Sequence, residues 1–85
     1  MLENYKSVFA YNFATHVHYD SDFSNYVYQN YPSQFNRFIH YSRIGSKYCP
    51  RVLQVCEEIV NINYSTNPPI KDLMEYIEHP HSEHI

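Results

Sequence analysis

Glycine is nearly absent from this sequence, which has one glycine among 85 residues. Tight β-hairpins usually need glycine at positions of positive φ, so a fold built from hairpins is disfavoured. The same count excludes a glycine-rich loop that cradles phosphate. No serine stands in the Gly-x-Ser-x-Gly setting of a hydrolase nucleophile. The sequence therefore favours a helical fold, and we expect that the protein is not an enzyme and carries no cofactor.

Charged residues are also scarce, at 18% of the chain, and the formal net charge is −3. Nucleic-acid-binding proteins usually carry a basic stripe, because contacts to phosphate dominate their affinity. Here the stretch from Arg37 to Arg51 is only mildly basic, and residues 57–85 are acidic. Nucleic acid is therefore not an expected partner. A weak nucleic-acid-binding regulator that uses this stretch stays open as a second alternative.

Long apolar runs are lacking, and so is tryptophan. No segment approaches the roughly 20 apolar residues of a membrane helix, so we expect no membrane partner and no signal peptide. The two cysteines, Cys49 and Cys56, would lie about 10 Å apart on one helix, too far for a disulfide. Reduced thiols are typical of intracellular proteins. We therefore expect a cytoplasmic location, which would be the host cytoplasm if the protein is viral.

Hydrophobic periodicity predicts a single small helical domain over residues 1–79, followed by a flexible, histidine-containing tail over residues 80–85. We expect an all-α fold, namely a compact bundle of four to five short helices. Three of these helices are predicted to begin at or just after a proline, because proline suits the first helical turn. The prolines are Pro32, Pro50 and Pro68.

A few polar or flexible residues are predicted to mark the ends of the helices. We expect Ser21 or Asp22 to cap the second helix and Ser33 to cap the third. Gly45 lies at the position where a residue with left-handed backbone conformation is expected to end the third helix. Residues 49–65 are predicted to form one helix, with Asn63 at helical spacing. Residues 61–69 are also rich in turn-forming types, so we predict a loop before the last helix that overlaps the end of this one.

The N-terminal segment is ambiguous between helix and strand. Phe9, Phe13 and Val17 fit one face of a helix. However, aromatic and β-branched residues also alternate here, as they do in a strand. Length and the lack of glycine favour a helix over about residues 2–18. The alternative is an α+β fold with an N-terminal strand or hairpin over about residues 8–31.

Residues 15–22 read THVHYDSD, which looks like a metal-binding run. In an extended segment, His16, His18 and Asp20 would point the same way and could bind one divalent ion. His40 is the natural further ligand. In a helix, the two histidines of the run point about 200° apart and cannot share an ion. Because we expect a helix, a small metal-binding domain is an alternative and no metal is our main expectation.

Aromatic residues make up 18% of the chain, with ten tyrosines and five phenylalanines. They are concentrated in the N-terminal half, and a domain of this size cannot easily bury them all. Tyrosine is enriched in binding hot spots, because its ring offers contact area at low entropy cost. We therefore predict a partner-binding surface formed by Tyr19, Phe23, Tyr26, Tyr28 and Tyr31.

The functional hypothesis is a small intracellular module that binds another protein through this tyrosine-rich surface. Self-association into a homodimer is part of the hypothesis. Short chains that are rich in tyrosine and asparagine and poor in glycine are typical of accessory proteins of phages and viruses. Such proteins often bind and modulate, or inhibit, a host protein. This extension of the hypothesis rests on composition alone.

Overall fold

The computed structural model describes residues 2–66, which form four α-helices and no strand. The helices are α1 (Leu2–Tyr19), α2 (Ser21–Asn30), α3 (Pro32–Ile44) and α4 (Pro50–Ser65). Helix α4 packs against α1 and α3, and α2 contacts both α1 and α3. The predicted all-α bundle is therefore confirmed. The helix predicted to begin near Pro68 and the tail over residues 80–85 lie outside the described residues.

The N-terminal segment is helical, so the α+β alternative is wrong. Residues 8–31 are helical apart from Asp20 and Tyr31. The fully buried face of α1 has the spacing i, i+3, i+4 and i+7 and consists of Ala10, Phe13, Ala14 and Val17. Burial of this continuous stripe outweighs the modest strand preference of the aromatic residues, because strand preference depends strongly on packing context.

A single residue, Asp20, separates α1 from α2. Its backbone is extended, and its carboxylate accepts hydrogen bonds from the amides of Asp22 at 3.0 Å and Phe23 at 3.2 Å. Asp20 is therefore the N-cap of α2, and the prediction of Ser21 or Asp22 is wrong. The cap lies one residue earlier because α1 continues to Tyr19 and leaves one residue for the turn.

The junction between α2 and α3 is equally short and consists of Tyr31 alone. Its amide donates to the carbonyl of Val27 at 2.7 Å, and its carbonyl accepts from the amide of Phe35 at 2.8 Å. Pro32 occupies the first turn of α3, so the cap position falls on Tyr31 and not on the predicted Ser33. No side chain caps this helix.

Gly45 ends α3, but for a different reason from the predicted one. Its φ is −112°, outside the left-handed region that favours glycine, so the predicted left-handed cap is wrong. A Cβ at this position would lie 3.0 Å from Cys49 Sγ and 3.3 Å from the carbonyl oxygen of Tyr41. The absence of a side chain therefore lets the α3–α4 connection close tightly on the end of α3.

Helix α4 begins at Pro50, as predicted, and continues to Ser65. The helix predicted over residues 49–65 is therefore confirmed, and the overlapping loop prediction is wrong over residues 61–65. One face of the helix is buried and consists of Val52, Val55, Cys56, Ile59, Val60 and Asn63. Asn63 continues this buried face one turn beyond Ile59, so packing against the bundle holds the last turn in helical form despite its polar composition.

Candidate protein-binding surface

The five aromatic residues predicted to bind a partner do not form one surface. Phe23 is fully buried and Tyr31 is 3% exposed, so both belong to the core. Tyr26 is half-buried. Tyr19 and Tyr28 are exposed. The helical turn of α2 causes this separation, because every fourth residue from Phe23 faces the core.

A small polar network links Tyr31 to α4. Asn63 Nδ2 donates to the Tyr31 hydroxyl at 3.1 Å, and Asn63 is fully buried. The Tyr26 ring meets the Tyr31 ring edge-on, with centroids 6.4 Å apart. Burial of the Tyr26 hydroxyl, together with the neighbouring Tyr31, raises the pKa of Tyr26 above its ordinary value. Tyr26 therefore stays neutral at physiological pH and serves as a link within the fold.

A different set of residues lies near the surface, on one side of α1 and in the α3–α4 connection. Tyr11 on α1 stacks on Tyr48 in the α3–α4 connection, with ring centroids 4.1 Å apart and an interplanar angle of 16°. The Tyr48 hydroxyl hydrogen-bonds with the Thr15 hydroxyl at 2.9 Å. Tyr11 is 48% exposed, and Tyr19, about two turns along α1, is 66% exposed. We call the surface formed by Val8, Tyr11, Tyr19 and Tyr48 the tyrosine face.

His18 links the tyrosine face to the core. Its Nε2 donates to the carbonyl of Lys47 at 2.9 Å, because a carbonyl oxygen can only accept. The imidazole lies 4.8 Å from the buried Phe38 ring and meets the Tyr48 ring edge-on at 5.7 Å. His18 therefore helps to hold both Tyr48 and Lys47 in position.

The four candidate metal ligands are not brought together. Residues 15–19 form the last turn of α1, so the extended segment that the site requires is absent there. His16 packs edge-on against a phenylalanine ring, and His18 uses Nε2 for a backbone carbonyl. Asp20 caps α2, and His40 lies exposed on α3. In the described part of the chain, no three His, Cys, Asp or Glu side chains are placed to share an ion.

The two cysteines are free and differ in reactivity. Burial of Cys56, with a smaller contribution from Glu57, raises the pKa of the Cys56 thiol. Cys49 is the N-cap residue of α4, and its thiol donates to the carbonyl of Tyr41 at 3.6 Å. Burial raises the pKa of the Cys49 thiol, but hydrogen bonds with the backbone of Ser46 and of the first turn of α4 outweigh burial and lower it.

We expect the protein to lose stability as the pH rises above the ordinary thiol pKa of 9.0. The pKa of Cys56 is raised on folding, so its contribution is complete below that pH and is lost as the pH rises through the folded pKa. The contribution of Cys56 to the free energy of unfolding should fall by up to about 1.4 kcal/mol per pH unit. Urea unfolding at a series of alkaline pH values measures it in the wild type and in Cys56→Ala. An equal slope in both proteins would assign the loss to other groups.

Sequence reasoning missed three residues of the tyrosine face, namely Val8, Tyr11 and Tyr48. Tyr11 has a detectable signal, because Val8, Tyr11 and Thr15 share the side of α1 that lies away from Phe13. Tyr48 has no such signal, since it lies in a connection without hydrophobic periodicity. Its contact with Tyr11 joins residues that are far apart in the chain, so only the tertiary fold reveals it.

No match is found when the chain is compared with protein-family models, with characterised proteins and with solved structures. Among the described residues, no helix has both the length and the apolar character that crossing a bilayer requires. The fold and the surface together define a small all-α protein with an exposed tyrosine face.

Proposed function

We propose that the protein is a binding module for another protein and that its contact surface is the tyrosine face. The Tyr11–Tyr48 stack carries this proposal, because the exposed Tyr11 ring is ordered against the half-buried Tyr48 ring, whose hydroxyl is held by Thr15. Rings that are already ordered lose little conformational entropy when a partner covers them. Tyrosine is also enriched among the residues that dominate binding energy.

The surroundings of the stack support the same function. Val8 is 61% exposed, so an aliphatic side chain extends the tyrosine face towards the start of α1. An exposed apolar patch with a polar rim is typical of an interaction site. An open groove of about 360 Å³ lies beside Tyr19, and Asp20 and Ser21 also line it. This groove can accept a side chain that projects from a partner.

The metal-binding alternative gains no supporting observation among the described residues, and one arginine of the nucleic-acid alternative is already in an ion pair. The candidate metal ligands do not converge, and Arg37 in the mildly basic stretch already pairs with Glu58. Composition extends the proposal to an accessory protein of a phage or virus that modulates a host protein in the host cytoplasm. Composition is the sole support for that extension.

Crosslinking of the purified protein in extracts of its source cells identifies the partner, and titration calorimetry with the purified partner measures Kd. Tyr48→Ala is expected to weaken binding by about 2 kcal/mol, or about 30-fold, as for a hot-spot ring. Tyr11→Ala should also weaken binding, because it removes the stack that orders Tyr48. Tyr28→Ala is the matched control, since the exposed Tyr28 ring contacts Phe35 and, among the described residues, no ring of the tyrosine face.

Circular dichroism and thermal melting establish that each variant keeps the wild-type fold. Sedimentation velocity over a range of concentrations tests the homodimer, in which the partner is a second copy of the chain. Normal binding by Tyr48→Ala would contradict the proposal. So would equal weakening by Tyr28→Ala and Tyr48→Ala, because the effect would then not be specific to the tyrosine face.

A further inference from the structure

Three cationic side chains lie at one end of the bundle, where α3 ends and α4 begins. Arg43 is in the last turn of α3, Lys47 is in the connection and Arg51 is in the first turn of α4. Among the described residues, none of the three has a carboxylate within ion-pair distance, whereas Arg37 pairs with Glu58. Within the part of the chain that the structure describes, these three cations therefore have no carboxylate in ion-pair contact, although the chain as a whole has a formal charge of −3.

Two of these cations are held against tyrosine rings. Lys47 Nζ lies 4.6 Å from the centroid of the Tyr19 ring and donates to the Tyr19 hydroxyl at 2.7 Å. Arg51 Cζ lies 5.4 Å from the centroid of the Tyr41 ring. A cation–π contact restricts the side chain without neutralising its charge. Both cations are therefore partly ordered before any partner binds.

Among the described residues, Asp20 and Asp22 near the start of α2 lie outside ion-pair distance of Lys47. The Asp20 carboxylate accepts two backbone hydrogen bonds as the cap of α2. Asp22 lies in the first turn of α2, where the helix dipole stabilises a negative charge. Lys47 donates to the Tyr19 hydroxyl instead. The positive end is thus available to carboxylates from another molecule.

We propose that this positive end binds an acidic segment of a protein partner, whose Asp or Glu carboxylates pair with Lys47 and Arg51. The inference rests on the proposed function, because Tyr19 belongs to the tyrosine face and its ring also holds Lys47. A partner with carboxylates beside apolar side chains can contact both surfaces at once. The guanidinium of Arg51 can bind a carboxylate through two parallel hydrogen bonds. Complementary charge also speeds association and selects among partners.

The charge pattern favours an acidic protein segment over a nucleic acid. Affinity for nucleic acid depends on neutralising many phosphates along a continuous backbone. The positive end offers three cations, and residues 57–85 of the same chain are acidic. An extended polyanion would be repelled by that negative charge, whereas a short acidic segment can bind locally.

Selection from a library of short random peptides tests this inference on the full chain. The wild type should enrich Asp and Glu, and the double variant Lys47→Glu, Arg51→Glu should enrich Lys and Arg instead. Against one selected acidic peptide, Lys47→Gln and Arg51→Gln should each weaken binding about two- to fivefold, as for exposed ion pairs. Wild-type affinity should also fall as salt is added. The control Gln54→Glu, Asn61→Glu adds negative charge at exposed positions of α4 and should select the same peptides as the wild type.

Enrichment of the same peptides by the wild type and by the Lys47→Glu, Arg51→Glu variant would overturn the inference. The proposed function would still stand in that case if Tyr48→Ala weakens partner binding. If Tyr48→Ala binds the partner normally and the wild type still selects acidic peptides, the proposed role of the tyrosine face would be contradicted. The inference about the positive end would then stand. Tighter binding of single-stranded oligothymidine than of the selected acidic peptide would assign the positive end to nucleic acid and overturn the inference.

Discussion

Replacing Phe13 with alanine is expected to lower the free energy of unfolding by about 3–5 kcal/mol, the range found for buried aromatic residues. Phe13 is fully buried, and its ring meets the Phe23 ring edge-on at 5.1 Å. Alanine would remove these contacts and leave a cavity that neighbouring side chains fill only in part. A domain of this length has about 4–13 kcal/mol of stability in total. The variant should therefore lose a substantial part of the stability of the fold, and all of it if the wild type is at the low end of this range.

Tyr11→Ala is the matched control, because it separates the helical arrangement from the strand alternative. In a strand, residues 11 and 13 point to the same face, so the loss of either ring would have a similar effect. In α1 the two side chains point in nearly opposite directions, and Tyr11 is exposed where Phe13 is buried. Urea unfolding followed by circular dichroism measures both variants. Equal losses of stability would contradict this orientation of α1.

A second large effect is expected from Asn63→Asp, which would place a carboxyl group in the core. Asn63 is fully buried, and among the described residues its side chain hydrogen-bonds with the Tyr31 hydroxyl alone. Among the described residues, its side-chain partner is an uncharged group, so a carboxylate at this position would lack a cation there. An unpaired buried charge destabilises a fold by about 3–5 kcal/mol, so we expect a loss of that size at neutral pH.

The loss caused by Asn63→Asp should depend on pH in a defined direction. Burial without a cation would raise the folded pKa of the new carboxyl above its unfolded value of about 3.9. The variant should therefore be closest to the wild type below that pH and lose stability as the pH rises through the folded pKa. Asn61→Asp is the control, since it makes the same change at an exposed position of α4.

Urea unfolding of both variants at acidic and neutral pH measures the difference. Equal behaviour of Asn63→Asp and Asn61→Asp would show that Asn63 is accessible to water. A loss that does not change with pH would assign the effect to altered packing instead of buried charge. The first outcome would contradict the burial of Asn63 against Tyr31, and the second would contradict the buried-charge explanation.

The helices could be predicted from the sequence because their signals are local. Phe13 and Val17 repeat at helical spacing, and Pro32 and Pro50 mark helix starts. The caps could not be predicted as well, because a cap depends on where the preceding helix stops. Asp20 caps α2 because α1 continues to Tyr19, the residue immediately before it.

The candidate surface was less predictable than the helices. The dense run of rings around α2 indicated an aromatic surface, but helical geometry turns Phe23 and Tyr31 into the core. The tyrosine face instead depends on Tyr11 meeting Tyr48, which lies on a different part of the chain. Gly45 is a similar case, since its small size is required by the approach of Cys49 and not by its own φ.

The sequence by itself determined that this protein is built from helices and that it has more aromatic rings than a small core easily holds. Only the tertiary structure decided which rings are exposed and which cations, such as Lys47 and Arg51, lie without a carboxylate partner among the described residues. The physical reason is that periodicity is a local property that places residues on one face of a helix. Whether that face meets the core or water depends on the helices that pack against it.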